Sequence, residues 1–364
     1  MKWNIRRVIL PVLALIVFIL HIVFSFFPSW VESFYYGFIF QCIRYIHDFT
    51  LGLLPFPVVY FIFIVLLIGL YWVFVSPFHK NKQQPWHHVA MNLLNFVSMI
   101  IFLFYFLWGF NYQRTTLSSR ILNTPFELST EDFLKEIKKV DSLVVNYRER
   151  LTSIQPDDII GKLSLENHIR ELQTNVLKSW GEKTPGRVRV RVLRPPGILL
   201  RFSTAGIYIP FANEGHIDKG LHSLQVPFTL AHEMAHGYGL TDEGECNFVA
   251  WVTCLSSTRP DVQYSGMLTY YRYLLQNYRR LDKQAYQSFL NDMDPSVWSD
   301  IEAIHSQMDR FPDIMPQVRD FVYDSYLRTH GISDGLMSYS SVVKLAIQWQ
   351  HSGWNEDIIR HSGL

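Results

Sequence analysis

The sequence predicts an α+β protein, mainly α, in which three N-terminal transmembrane helices precede a soluble domain. Three observations lead there. The first ~110 residues are nearly uncharged and contain apolar runs of spanning length; the remainder has the mixed composition of a soluble domain; and in that remainder helical periodicities outnumber strand-like alternations. Across all 364 residues, 49% are hydrophobic, 15% aromatic and 18% charged, an average over two unlike parts. The formal net charge of +1 gives no reason to expect nucleic acid or acidic partners. We read residues 1–112 as the membrane domain and 113–364 as the soluble domain.

The runs 8–27, 56–74 and 89–110 are each long enough to cross a bilayer, which is the first partner implied. Lys2, Arg6 and Arg7 precede the first run, which ends Phe26-Phe27-Pro28-Ser29-Trp30 without a small-residue cleavage site, so it reads as an uncleaved anchor. The segment between the second and third runs carries Lys80 and Lys82 and is basic, which puts it and the N-terminus in the cytoplasm and everything after Phe110 outside. The expected location is therefore the inner or plasma membrane, with the soluble domain extracytoplasmic, hence periplasmic in a Gram-negative cell. Residues 28–55 carry Glu32, Arg44 and Asp48 among many aromatics and read as an interfacial loop; Trp30, Tyr35, Tyr36, Trp108 and Tyr112 read as interfacial anchors. His79, His87 and His88 lack ligand spacing and belong to a solvated loop.

The chemistry concentrates in Phe228-Thr229-Leu230-Ala231-His232-Glu233-Met234-Ala235-His236-Gly237. Pro227 suits a first helical turn, and Gly237 and Gly239 suit its end. Residues four apart share a helix face, so His232 and His236 can aim imidazole nitrogens at one ion, with Glu233 beside them. H-E-x-x-H on a helix describes a zinc hydrolase site, and Zn²⁺ is the expected cofactor. Catalytic zinc usually takes three protein ligands and keeps a position for water. Downstream, Asp242, Glu243, Glu245 and Cys246 offer the third. Glu245 is in helical register with Phe248, Val249 and Val252, so it points along an apolar stripe where a carboxylate needs a cation. Asp242 is its rival, because H-E-x-x-H-x-x-G-x-x-D is also a known zinc spacing; Asp242 and Glu245 can alternatively form a helix-capping pair.

His232 to Phe248, with Trp108-Gly109-Phe110-Asn111-Tyr112, Gly206-Ile207-Tyr208-Ile209-Pro210-Phe211, Tyr264-Ser265-Gly266, Asp334-Gly335 and Ser338-Tyr339, resembles the zincin-like membrane proteins grouped as domain of unknown function 3810. The resemblance covers nearly the whole chain. Family members typically read H-E-x-A-H, a short acidic loop, then D-E-A-N-F, which places the family's glutamate on Glu245 and a position that is often basic on Asp242. This chain departs from the pattern with Gly244-Glu245-Cys246-Asn247, so Cys246 stands where alanine is usual. The resemblance implies a zincin-like, gluzincin-type domain and a metallopeptidase, and names no substrate.

Around this centre, Ser129-Thr130-Glu131-Asp132 opens a helix with Phe133, Ile137, Val140 and Val144 on one face, and a second helical segment follows at 164–180. Arg187-Val188-Arg189-Val190-Arg191-Val192 alternates as a strand, its arginines a solvated face. Residues 206–211 form a second strand, a candidate edge against which an extended peptide can pair. Helices are expected at 262–278, 295–308 and 318–328, the last two parted by Pro312 and Pro316. Cys42, Cys246 and Cys254 read as buried apolar thiols, and the latter two are too far apart along a helix to bridge.

The expected mechanism has a zinc-activated water attack a peptide carbonyl while Glu233 serves as general base. His232, His236 and Glu245 are the expected ligands, Asn247 orients one of them, and Tyr264 is the expected oxyanion donor, with His216 and Tyr208 as further candidates. The leading expectation is a membrane-anchored zinc metallopeptidase acting on peptide or protein outside the cytoplasm. Two others share the pattern: a non-catalytic binding or assembly module on the same fold, and a zinc hydrolase of a cell-envelope amide. An intramembrane protease is excluded, because H-E-x-x-H lies far from any apolar run.

Overall fold

A computed structural model describes residues 8–80, 85–122, 126–152, 162–184, 186–314 and 341–352. The helix expected at 318–328, together with Asp334-Gly335 and Ser338-Tyr339, lies outside these residues. The protein is mainly helical with one three-stranded sheet, and it divides into two compact units.

The first unit comprises the chain up to Thr115 with two short returns, at 186–187 and 209–214. Its helices are α1 (Ile9–Phe26), α2 (Gln41–Asp48), α3 (Val58–Phe74) and α4 (Pro85–Leu107). Two helices, α1 and the Trp86–Leu107 part of α4, are long and apolar enough to cross a membrane, and Pro28–Leu53 with α3, bent by 94°, is a third if the pair forms one span.

Residues 28–48, expected as part of an interfacial loop, are helical, winding as a π-helix over Val31–Phe40 before α2. Their aromatics account for this, because they find partners inside the unit. The Tyr35 hydroxyl donates to the Phe106 carbonyl at 3.0 Å, its ring meets Phe110 edge-on, and the Arg114 guanidinium lies 3.3 Å from the centre of the Tyr36 ring. Tyr35, Tyr36 and Trp108 are therefore buried rather than interfacial, while Trp30 is exposed. Cys42 is exposed, not buried as expected: it stands two residues before Arg44, on the opposite side of α2 from that buried side chain. All three cysteines are free.

Arg44 and Asp48, one turn apart on α2, are almost fully buried and meet at 2.6 Å. Arg44 also donates to the carbonyl and side-chain oxygens of Asn213, at 2.7 Å each, and Asp48 accepts the Arg187 N–H at 2.8 Å. Glu214 accepts the first N–H of α3, that of Val58, at 2.9 Å. Two short segments of chain, 186–187 and 213–214, are thus tied into the membrane unit by buried charge.

In the second unit come α5 (Leu117–Ile121), α6 (Thr130–Thr152), α7 (Lys162–Ser179), β1 (Val190–Leu193), β2 (Gly206–Ile209), β3 (Glu214–Asp218), α8 (Val226–Gly237), α9 (Glu243–Leu255), α10 (Pro260–Leu281), α11 (Lys283–Asn291), α12 (Pro295–Asp309) and α13 (Ser341–His351). Ser129 caps α6 as expected, its hydroxyl accepting the Asp132 N–H at 3.0 Å. The sheet order is β1-β3-β2, with β1 and β3 parallel and Val190 opposite Gly215, so β2 is an edge. Arg189 corrects the expected solvated strand face. It is buried because Glu166 of α7 accepts from its Nε at 2.8 Å. The core is helical, with Phe248, Trp251, Tyr270 and Trp349 packed ring to ring between α9, α10 and α13.

Replacing Arg44 with alanine takes its close cation from the buried Asp48 carboxylate, leaving His47 Nδ1 at 3.6 Å and the Arg187 N–H, and should cost about 3–5 kcal/mol. Thermal melting of the detergent-purified protein should show the loss, with the Arg44→Ala/Asp48→Ala double variant losing less than the two single losses combined.

Candidate metal centre

Helix α8 is buried around nearly its whole circumference: from Pro227 to Gly237 only His232 keeps partial exposure. It nevertheless carries two imidazoles and a carboxylate, which must find polar partners. His232 and His236 stack down one face with ring centres 4.9 Å apart. Glu243, the first residue of α9, reaches between them: its Oε2 is 3.2 Å from His232 Nε2 and its Oε1 is 3.7 Å from His236 Nε2.

The donor atoms of these three residues all lie within 4.8 Å of one another. Ligands on a tetrahedral zinc at its usual bond lengths are separated by about 3.3 Å, so the spacing fits such an ion.

The far nitrogens decide which ring atoms face the centre. His232 Nδ1 lies 2.8 Å from Asn247 Oδ1, and His236 Nδ1 lies 2.9 Å from the Leu240 carbonyl. Both partners are acceptors, so each ring holds a proton on Nδ1 and, when neutral, has its lone pair on Nε2 beside the Glu243 oxygens. A cation there, either a proton on His232 Nε2 or a metal ion, satisfies lone pair and carboxylate together. The Tyr273 hydroxyl donates to the same Asn247 oxygen at 3.2 Å, fixing its orientation. Burial pulls the His232 pKa down, but the hydrogen bond and charge of Glu243 outweigh it and the net shift is upward. At His236 burial prevails and the shift is downward.

Glu233 is held separately. The sheet crosses it at two glycines, where a side chain does not fit: a Cβ at Gly206 would stand 2.5 Å from Glu233 Oε1, and one at Gly215 would stand 2.8 Å from its Cβ. Glu233 is buried and its Oε2 has no hydrogen-bond partner among the described residues. Burial, offset in part by His232 and reinforced by Glu243, pushes its pKa from 4.5 up to about 8. It is thus a carboxyl able to hold or release a proton near neutral pH, beside a cluster of metal-type donors.

A family model described as "Protein of unknown function (DUF3810)" matches residues 35–347. The chain belongs to the DUF3810 family. No curated protein and no solved structure matches it.

Within this DUF3810 protein, His232 and His236 share one donor group, and its third member is Glu243. Glu245, the expected third ligand, points elsewhere: its Oε1 accepts the Ser118 N–H at 2.8 Å, at the start of α5. A helix N-terminus thereby supplies the positive partner that a carboxylate on an apolar stripe demands. Asp242 is the N-cap of α9, accepting the Glu245 N–H at 2.8 Å.

Cys246 is buried with its Sγ 3.4 Å from His236 Nδ1, behind the ring rather than on its Nε2 side, and burial pushes its thiol pKa well up. The Tyr264 hydroxyl donates to Asp300 at 2.6 Å, and Arg148 approaches the same carboxylate. Tyr208, on β2, is the tyrosine whose ring stands near the histidines, with its centre 6.3 Å from that of His236. His216 is fully buried in β3. Tyr273 and Leu240 were not expected at the site: one lies 26 residues beyond Asn247, and the other acts through its backbone.

As pH rises from about 4.5 toward 8, the unfolded chain releases the Glu233 proton while the folded protein keeps it. Metal-depleted protein should therefore lose stability across that window, by up to a few kcal/mol, and level off above it. Melting of chelator-treated protein against pH should show this slope, and Glu233→Gln should flatten it; equal slopes in the two proteins would disprove the assignment. Asn247→Ala should weaken zinc affinity about 10–100-fold in competition with a chromogenic chelator.

Proposed function

We propose that this DUF3810 protein is a membrane-anchored zinc-dependent metallopeptidase with its catalytic unit outside the cytoplasm. One observation carries the reading. His232 and His236 of α8 and Glu243 of α9 gather their donor atoms within 4.8 Å, and α8 also holds a buried Glu233 oxygen without a hydrogen-bond partner among the described residues. His232, His236 and Glu243 would hold the ion, and Glu245, the ligand expected from the sequence, becomes the cap of α5.

Bound zinc would supply Lewis acidity to a substrate carbonyl and acidify water. Glu233 would take the proton of the attacking water and return it to the departing amine, roles that require a carboxyl poised near neutral pH. Gly206 and Gly215, lacking side chains, leave the space that this carboxyl occupies against the sheet. Edge strand β2 offers backbone groups to an extended peptide, and Ile207 is exposed there. Tyr208 is better placed than Tyr264 to donate to a developing oxyanion, because the Tyr264 hydroxyl is committed to Asp300. The extracytoplasmic side follows from the basic residues around 77–88.

Elemental analysis of the purified protein should find about one zinc per chain. His236→Ala and Glu243→Ala should lose it, whereas Glu245→Ala and Glu233→Gln should keep it. Cleavage of a quenched-fluorophore peptide library should fall at least about 10²-fold in Glu233→Gln. Zinc lost in Glu245→Ala but retained in Glu243→Ala would restore Glu245 as the ligand. Absence of zinc from the wild type would overturn the peptidase reading, and zinc binding without cleavage would leave a binding module.

A further inference from the structure

Five large apolar side chains are exposed among the described residues of the second unit: Ile198, Phe202, Ile207, Leu281 and Ile314. Four of them lie on, next to, or bonded to the loop between β1 and β2. Ile198 and Phe202 are 38% and 40% exposed on the loop between β1 and β2, and Ile207 is 41% exposed on β2 itself. Ile314, 55% exposed, is joined to that loop by its N–H, which donates to the Arg201 carbonyl at 2.9 Å. A second bond, from the Ser203 hydroxyl to Asp313 at 2.7 Å, ties the two strips together.

The exposure is built into the loop rather than a result of fraying. The buried carboxylate of Asp218 gathers the N–H groups of Gly197, Leu199, Leu200 and Gly220, at 2.8, 2.7, 3.2 and 2.6 Å. Phe311 packs over Gly197 and Gly220. With its backbone fixed in this way, the loop turns Leu200 into the core and Ile198 and Phe202 outward. Arg194 and Arg201 are exposed on the same loop, and Lys219, also exposed, is tied to the start of that loop by its N–H, which donates to the Leu193 carbonyl at 3.2 Å.

Rigid apolar tips with cations on the same loop suit a boundary between hydrocarbon and anionic headgroups. Covalent geometry supplies the reach. Two residues after Ile207 the chain enters the membrane unit, where Glu214 accepts the N–H of Val58, the first residue of an apolar 17-residue helix. We propose that Ile198, Phe202, Ile207 and Ile314, with Arg194 and Arg201, form an interfacial anchor that dips into the bilayer surface. The anchor carries β2 with it, so a polypeptide pairing with that edge is read at the membrane surface. The anchor itself depends on the membrane spans and not on metal or catalysis.

The test uses the full chain with Cys42→Ser, reconstituted in vesicles of phosphatidylcholine and phosphatidylglycerol. An environment-sensitive fluorophore is attached at Phe202→Cys, at Ile198→Cys or, as an exposed apolar control, at Leu281→Cys. The first two positions should emit blue-shifted light and be quenched by shallow nitroxide-labelled lipid several-fold more strongly than Leu281→Cys. Arg194→Glu/Arg201→Glu, or vesicles of phosphatidylcholine alone, should lessen that difference. Water-like emission at Phe202→Cys would overturn the anchor. So would blue-shifted emission without lipid quenching, which would mean that protein and not lipid covers the patch.

Discussion

A helix buried on every side cannot carry two imidazoles and a carboxylate unless each polar atom is answered, and the second unit is built on that constraint. Helix α8 presses Glu233 against the sheet and turns His232 and His236 toward the start of α9. Asn247 and the Leu240 carbonyl take the far ring nitrogens, and Glu243 faces the near ones. Glu233 keeps its Oε2 without a hydrogen-bond partner among the described residues, in a space bordered by two glycines. An oxygen left so in a protein interior is costly, and a proton-transfer role is a physical reason to retain it. Burial raises its proton affinity, and neighbouring charge tempers the rise.

Much of this was legible in the sequence because helical geometry is local. Spacing by four puts His232 and His236 on one face whatever surrounds them, and Pro227 and Gly237 bracket the helix that results. The third donor was not legible in the same way. Glu243 and Glu245 sit two residues apart at the start of α9, so their side chains leave it in opposite directions, and tertiary packing alone decides which faces the histidines. Glu245 does meet a positive partner, and it is the N–H of Ser118, 127 residues earlier. Periodicity shows that a carboxylate is buried without showing what it is buried against.

The membrane part shows the same division. Length and apolarity mark the spans, because a bilayer imposes both. The segment 28–48 escaped that reading, since Arg44 and Asp48 look like loop residues until each is seen to neutralise the other one helical turn away. Tyr35, Tyr36 and Trp108 have the composition of interfacial anchors, yet their rings and hydroxyls are used for packing within the unit. Arg189 was misjudged for the same reason: alternation gives the face, and Glu166 on a separate helix determines whether water lies there.

Carboxylates, all but one of them buried, recur as organisers of backbone among the described residues. Asp218 draws four N–H groups into one loop, Glu214 starts α3, Glu245 starts α5, Asp48 holds Arg187, and Asp242 starts α9. Each ties down a point where the chain turns, and several flank the strands that border Glu233. A buried carboxyl packed closely against two strands requires those strands to hold position, and loops fixed by charge-assisted hydrogen bonds meet that need more firmly than apolar contact alone. By contrast, the Glu243 carboxylate, at the start of α9, lies against the imidazoles of both His232 and His236. That contrast in how the acids are satisfied separates the residue suited to an ion from those that hold the scaffold around it.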